Sequence, residues 1–552
     1  MIAGRSVNGM PDRSELPADT GAAGSGSRRW WIALGSILVL LLIPSLFLPL
    51  GPDQSLFFAS GQKILRGALY YRDIVDVKPP LISYIYAGAI ALFGERWLSI
   101  RLFDLLLQGA TCWLMASLLR RATGDRRIAA MAPVIYLLLY FAQNYGSAAQ
   151  PEGYVGLLGL GVIRLLAFGR GAWRYPASGA LCGVLFLLKF PLGGMLAVAM
   201  LADALLLTRG PGKIIRHWLL MAGGFGMVAG LFLLYLLGNG IYHDFLLVNE
   251  FIRGYARTAM GSPGVWLRNL VEIPANHLSD NYSLLLLALT LAGGMISMRS
   301  PVTMPERRDV GEGGIMILRI CTLAFILMMG TIIVEGKYAF YHFLRLYPFG
   351  AVMGSFGAAA ALDRLARAPR RVPFTGGALA LAAAALMLVS PIPRYLYNTV
   401  AVAWTALRTD RVMGGGNARE IDALPDGEAI RVGMYVRSHI APGEKLFVAA
   451  SMPGLVYYRA GVAPEFKILH FAFINAPFAP EQWKQETSLY LLRERPRFIA
   501  AELNDILPDI TGTNDPSIAA LRKLPGIDAL LRDNYSSVLR TEKLELFERT
   551  AQ

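Results

Sequence analysis

The chain has 552 residues, 55% of them hydrophobic and 17% charged, with a formal net charge of +14. A soluble chain carries nearer a quarter charged residues. The apolar excess here falls in long blocks, which excludes an ordinary soluble fold and points to a polytopic membrane protein. The basic residues gather in short loops between apolar runs, so the charge reads as cytoplasmic loop bias and not as a nucleic-acid footprint.

In chain order, residues 1–29 are rich in Gly, Ser, Pro and Asp and are expected to form a disordered cytoplasmic tail. The run "RRWWIALGSILVLLLIPSLFLPL" has a basic flank, but it is too long for a signal peptide and no small-residue cleavage site follows, so it is the first span. Spans of about 20 apolar residues are predicted near 30–50, 97–119, 128–145, 153–169, 176–191, 193–208, 217–238, 283–299, 314–335, 338–361 and 374–392. Lys189 and Pro191 interrupt the fifth and sixth. The basic loops "RRATGDRR", "RGAWR", "RGPGKIIR", "RSPVTMPERRD" and "DRLARAPRR" should face the cytoplasm together with Arg28 and Arg29. Residues 81–94 are apolar but too few to cross, and a crossing there would put "RRATGDRR" outside; they are predicted to lie in the outer interface or to re-enter. The N-terminus is then inside and the C-terminus outside, in a multi-pass protein of the cell inner (plasma) membrane.

The expected fold is all-α and polytopic, with about 11 transmembrane helices, followed by a small C-terminal α/β extracytoplasmic domain. The boundaries are 30–392 for the membrane domain, with an outer loop at 51–96, and 393–552 for the α/β domain. In the latter, "GEAIRVGMYVRSHI" and "MPGLVYYRAG" have helical spacing, and "KLFVAA", "RPRFIAAEL" and "KLELFE" read as strands. Residues 144–153 and 239–282 are expected to be further outer loops. Cys112, Cys182 and Cys321 each lie inside an apolar run without metal-ligand spacing.

The informative stretch is the first outer loop. Asp53 follows the first span at once and sits at headgroup depth, where lipid phosphates repel an acid. "SLFFASGQKILRG" then reads as an interfacial amphipathic helix ended by Gly67, and "ALYYRDIVDVKPPL" adds Tyr70, Tyr71, Arg72, Asp73, Asp76 and Lys78 before two prolines that begin the next helix. Basic residues snorkelling to lipid phosphates above an aromatic belt would explain any one of these. Asp53, Arg72 and Lys78 together fit a site for a lipid-carried phosphate better, with lysine and arginine neutralising the leaving group and a carboxylate acting as base.

At these residues the chain resembles the GT-C glycosyltransferases of family 39 type, which include protein O-mannosyltransferases, lipid A aminoarabinose transferases and rhizobial galacturonic acid transferases. "PDQSLFFASGQKILRGALYYRDIVDVKPPLISYIYAGAIALFG" and "RWLSIRLFDLLLQG" carry the resemblance, with "AAQPEGYVGLL", "GVLFLLKFPLG" and "KYAFYHFLRLYPFGAV" following in the same order. It implies a GT-C fold and transfer from a polyprenyl-phosphate sugar donor to a glycan, lipid or protein acceptor on the outer face. It implies that Asp53 is catalytic, that Lys78 contacts the carrier phosphate, and that Arg72 and Asp73 match the "Y-R-D" preceding it. Many relatives have Asp-Glu where this chain has Asp53-Gln54; Gln54 still hydrogen-bonds but carries no charge. That argues against a second-carboxylate or metal role and leaves the base role intact. No cofactor is called for, and a divalent metal stays open.

Glu152 is a sugar or acceptor contact by the same resemblance, or a carboxylate complementing a helix N-terminus. Lys189 lies in an apolar run and is a phosphate contact or a snorkelling residue. Tyr341, His342 and Arg345 open a late span, with Tyr341 and Arg345 spaced to share a helical face. Arg101 and Asp104 are expected to pair with each other, and Arg164 and Arg319 to be structural. Arg253 and Arg257 could meet an anionic substrate. The alternatives are a transporter or flippase of a lipid-linked glycan, against which stands the absence of visible repeats, and a catalytically inactive relative.

Overall fold

The computed structural model describes residues 25–143, 145–260, 264, 266–272, 284–298, 311–367, 390–405, 407 and 427–550. The predicted span at 374–392 lies almost wholly outside the described residues. The chain is membrane-embedded. Six helical stretches are long and apolar enough to cross a bilayer among the described residues: Arg28–Phe47, Trp97–Thr123, Pro151–Phe168, Phe190–Leu207, Pro211–Gly238 and Glu312–Glu335.

The helices that matter are α1 (Ser25–Leu42), α2 (Pro52–Leu65), α3 (Leu81–Phe93), α4 (Trp97–Thr123), α5 (Arg126–Ala142), α6 (Val155–Phe168), α7 (Arg174–Leu188), α8 (Met195–Ala202), α9 (Pro211–Gly238), α10 (Tyr242–Met260), α11 (Leu284–Met298), α12 (Glu312–Glu335) and α13 (Tyr347–Arg367). Where Lys189 and Pro191 interrupt the sequence pattern, α7 ends, and a 3-10 turn Phe190–Gly194 precedes α8. The predicted late span starts later than its apolar pattern: Phe340–Arg345 is a 3-10 turn, and α13 begins at Tyr347.

Two ends of the bundle are distinguished by their chemistry. Arg127, after α4, bonds Asp363 of α13 at 2.7 Å, so the basic loops there share one end. The backbone N–H of Trp97, at the other end of α4, donates to the Tyr458 hydroxyl at 3.1 Å. Twenty-seven helical residues separate the two ends by about 40 Å.

At the Trp97 end sits a four-stranded sheet of β1 (Leu446–Ala449), β2 (Phe498–Glu502), β3 (Tyr535–Arg540) and β4 (Leu544–Arg549), in the order β1-β2-β4-β3. Strands β1 and β2 are parallel and the other pairs antiparallel. The sequence patterns anticipate β1, β2 and β4 and the helices Gly427–His439 and Gly454–Ala460; β3 and the helix Glu481–Glu494 were not read from it. The strands alternate. Leu446, Val448, Phe498, Ala500 and Leu546 form a core with Val432, Val436 and Val456 of those two helices. Phe447, Ala449, Ile499, Ala501 and Phe547 face a second core that takes in Tyr70, Tyr71, Ile74 and Val75 from the first loop and Phe251 from α10.

The packing at this end corrects two expectations. Helix α2 does not lie on lipid: Phe57 and Phe58 are 1% exposed, and Lys63, buried, donates to the backbone carbonyls of Glu465 and Phe466 at 2.9 and 2.7 Å. Burial lowers the Lys63 ammonium to about 8, against the pull of Asp73 and Glu465. The stretch 239–282 is not simply a loop, because α10 fills much of it. Phe251 packs within about 5 Å of the rings of Phe473, Phe478 and Trp483, at centroid distances of 5.1, 5.2 and 5.0 Å.

The sheet unit is seated on α2 by close backbone approach. A Cβ on Gly454 would come within 2.6 Å of the Ser55 carbonyl carbon and 2.8 Å of the Leu56 nitrogen. Gly454→Val should therefore cost about 1–3 kcal/mol of stability through overpacking, read as a lower Tm in detergent; an unchanged Tm would show that this helix is not seated on α2.

Candidate active site

Asp53 stands in the first turn of α2, which begins at Pro52 with Gly51 as its N-cap. Gly51 is required by space: a Cβ there would overlap the Cα of Gly146. The Asp53 carboxylate takes a hydrogen-bonded ion pair from Lys78 at 3.1 Å, and both side chains are largely buried, at 14% and 11% exposure. Gln150 Nε2 approaches the same Oδ2 at 3.4 Å. Burial would raise the Asp53 carboxyl, but the Lys78 ammonium, helped by His470 and the Tyr341 hydroxyl, holds it below its ordinary value. Lys78 is pushed above the usual lysine range: burial opposes its charge, and Asp53 and Asp76 more than compensate. Burial also raises Asp76, whose carboxylate accepts from the Lys78 backbone N–H at 3.3 Å.

A second charge cluster adjoins this pair. Glu152 Oε1 accepts from Lys189 at 2.7 Å and from Arg345 at 3.2 Å. Glu335, at the end of α12, pairs with Lys189, with Arg345 at 2.8 Å and with His342 at 3.2 Å. Arg345 Nη1 also donates to the Thr331 hydroxyl at 2.9 Å. Glu152 is fully buried, and its Oε2 has no partner among the described residues. Tyr341 joins the clusters: the ammonium groups of Lys78 and Lys189 lie 5.7 and 5.5 Å from its ring centre, within cation–π reach.

Of the residues proposed from sequence, Asp53, Lys78, Glu152, Lys189, Tyr341, His342 and Arg345 thus converge. Arg72 and Asp73 do not join them; they pair with each other at 3.0 Å, with Arg72 half exposed. Gln54 lies beside the site but is fully engaged inside the protein. Its Oε1 accepts from Gly51 N–H at 2.8 Å and Arg101 Nη2 at 2.7 Å, and its Nε2 donates to the carbonyls of Tyr145, at 3.0 Å, and Ala148. The expected Arg101–Asp104 pair is absent. Arg101 donates to the carbonyls of Leu48 and Pro49 and to Gln54, while Asp104 accepts from Gln108 and Tyr140, both at 2.9 Å. The reason is position: Arg101 sits where the 3-10 turn Ile43–Phe47 that follows α1 ends, and it satisfies the carbonyls of Leu48 and Pro49, which no helix continues to bond. Arg164 and Arg319 are structural, bonding Ser117 Oγ and the Ser297 carbonyl. Arg253 and Arg257 are exposed on α10.

Sequence reasoning missed Glu335, Lys337, Gln150, Tyr255 and His470. Glu335 and Lys337 carried a signal, since both flank Gly336 at the end of a span, where an ionisable residue is a site candidate. His470 had none: it comes from the sheet unit, lies on the Phe473 ring and is lowered to about 4 by burial, with Asp53 opposing and Lys78 adding to the shift.

The backbone is strained where these segments meet. Among the described non-glycine residues, Tyr71, Ala149, Tyr338 and Arg495 have positive φ; Ala149 and Tyr338 adjoin Gln150 and Lys337, and Tyr71 lies in the loop that leads to Lys78. Such residues persist only where the surroundings over-determine them. Ala149 is held at both backbone groups by buried tyrosines, its N–H by Tyr140 at 2.9 Å and its carbonyl by Tyr86 at 3.1 Å. Tyr70 donates to the Lys78 carbonyl at 3.0 Å.

Among the described residues no group of three or more His, Cys, Asp or Glu side chains is placed to hold a metal ion. Asp53, Glu152 and Glu335 each already face a lysine or arginine, and Gln54 has no free lone pair, so the donor set does not fit a divalent ion.

Comparison with known proteins agrees with this architecture. Residues 77–237 match the family model described as dolichyl-phosphate-mannose-protein mannosyltransferase. The solved structure of ArnT from Cupriavidus metallidurans in the apo state aligns at a TM-score of 0.56 and 13% identity, covering 95% of this chain and 98% of that one. The structure of the same protein bound to undecaprenyl phosphate aligns at 0.52 and 15%, covering 95% and 99%. No curated protein sequence matches the chain. The fold is that of the ArnT structures, and the family match over residues 77–237 is in line with the resemblance carried by the sequence motifs.

Gln54 fastens the start of α2 to the segment 145–150. Gln54→Glu sets a carboxylate oxygen against the carbonyls of Tyr145 and Ala148 and should cost about 1–3 kcal/mol of stability, measured as a lower Tm than wild type; an equal Tm would refute the fastening role.

Proposed function

We propose that this protein is an inverting membrane glycosyltransferase that moves a sugar from a polyprenyl-phosphate donor to a hydroxyl of a glycan, lipid or protein acceptor on the non-cytoplasmic face of the membrane. The observation that carries the reading is the buried Asp53–Lys78 pair at 3.1 Å, at the end of the bundle away from the basic loops. By the positive-inside rule that end faces outward. The ArnT structure bound to undecaprenyl phosphate shares this fold, and a lipid phosphate surfaces at the depth where α2 begins.

The chemistry follows from the charges. Asp53, ionised, accepts the acceptor hydroxyl proton as the new bond to the anomeric carbon forms. The bond from that carbon to the phosphate oxygen breaks on the opposite side, and its electron pair stays on the phosphate. The leaving group passes from one negative charge as a diester to two as a monoester. Lys78 stabilises that gain, with Lys189 and Arg345 behind it. Lys78 serves both partners in turn. While it bonds Asp53 it keeps the carboxylate ionised but weakly basic; as charge builds on the phosphate and draws the ammonium, Asp53 becomes the stronger base it needs to be. The unpartnered Oε2 of Glu152 is a ready acceptor for a sugar hydroxyl.

In a strain lacking the gene, the lipid-linked sugar should accumulate and one glycoform should be missing. Wild-type protein should restore it. Asp53→Asn should lower transfer at least about 10²-fold, the low end for loss of a general base, while the purified variant still binds undecaprenyl phosphate. Full restoration by Asp53→Asn would end the catalytic assignment, and wild-type protein without turnover would favour a transporter or an inactive relative.

A further inference from the structure

We propose that Lys337 is a further phosphate-contacting cation of this site, charged by a proton taken from solvent when the lipid phosphate docks. The proposal rests on the donor reading above and extends it to a residue that no motif singles out.

Four cations gather here. Lys78 has Asp53 as partner, and Lys189 and Arg345 share Glu152 and Glu335. Lys337 has no carboxylate within ion-pair distance among the described residues; its ammonium lies over the ring of Tyr255 from α10. Its place is built. It stands in the turn after α12 between Gly336 at φ +69° and Tyr338 at φ +46°, so both neighbours hold the left-handed backbone that aims it. It is half-buried.

The groups that act on it come from three segments of the site. Glu335 is on its own segment, Lys189 follows α7, and Lys78 comes from the loop after α2; Lys337 in turn acts on His342 and on His470 of the sheet unit. Burial, reinforced by Lys189 and Lys78 and opposed by Glu335, lowers its ammonium to about 7. The other three cations are already matched by carboxylates, so the monoester dianion, which the donor phosphate becomes on transfer and which undecaprenyl phosphate already is, needs a charge that the empty site does not hold.

The sign follows. A bound phosphate raises the Lys337 pKa above about 7. From there up to the raised value, the empty site is unprotonated at Lys337 and the filled site protonated. Binding then consumes a proton, and affinity falls by up to about tenfold per pH unit in that window. Below it, Lys337 is charged in both states and contributes no uptake. His470 stays neutral throughout, and the second ionisation of the phosphate lies near 6.

The test is calorimetric titration of undecaprenyl phosphate into the full-length protein in detergent at about pH 8, in two buffers of different ionisation enthalpy, so that proton uptake is read directly. Wild type should take up a substantial fraction of a proton and bind more weakly as pH rises. Lys337→Met should take up none and bind about tenfold or more weakly, as for loss of a charge-assisted contact. Lys337→Arg should restore affinity with no uptake and a flat pH profile, because arginine is always charged. If Lys337→Met matches wild type in affinity and uptake, or changes only the Tm, the assignment falls and the lysine merely packs on Tyr255. If wild type binds no undecaprenyl phosphate at all, the donor reading itself fails.

Discussion

The contact between Asp53 and Lys78 is the constraint around which this end of the molecule is arranged. Two opposite charges, each nearly removed from water, face each other at 3.1 Å. Such a pair is a poor source of stability, because desolvation takes back most of the attraction. It persists because the rest of the structure fixes both backbones. Asp53 is set by the Pro52 start of α2 and by Gln54, which bonds α2 to the 145–150 segment. Lys78 is set by the Tyr70 hydroxyl on its carbonyl and by the pairing of Val75 with Ile468 of the sheet unit. A fold optimised for stability alone would place apolar groups here.

The neighbouring cluster obeys the same logic with more members. Glu152 and Glu335 against Lys189 and Arg345 form a neutral set of two acids and two bases, brought from α12 and from the turns that follow α5, α7 and α12. No member can be removed without leaving an unmatched charge in a buried place, which is why these residues hold the bundle's end in one geometry. Lys337 stands apart from that balance: among the described residues it meets the ring of Tyr255 and no carboxylate at ion-pair distance.

How far the sequence disclosed this depends on the kind of signal. Asp53, Lys78, Glu152, Lys189 and Arg345 were legible because a charge beside a long apolar run is expensive and calls for a reason. Spans were legible for the same reason, through apolar length. What failed were inferences about partners. Arg101 and Asp104 are spaced as a helical pair, yet each finds stronger demands elsewhere, Arg101 from the bare carbonyls of Leu48 and Pro49 and Asp104 from Gln108 one turn along α4 and Tyr140 of α5. Helix α2 has the pattern of an interfacial helix, but that pattern does not say whether lipid or protein covers the apolar side. His470 lies more than four hundred residues from Asp53, and nothing local announces that they meet.

That last meeting bears on how the sheet unit should be understood. Its second core is not closed by its own residues: Tyr70, Tyr71, Ile74 and Val75 are part of it, within a few positions of Lys78. The left-handed backbone at Tyr71 is held there, with its N–H bonded to the Ile74 carbonyl at 2.9 Å. The unit therefore completes the segment that carries Lys78 and also supplies His470 beside the carboxylate. Changes in the packing of its sheet reach Val75, in the loop that carries Lys78, through one continuous hydrophobic core. A swap of this unit between related chains would then disturb the position of Lys78 as well as whatever surface the unit presents to an acceptor.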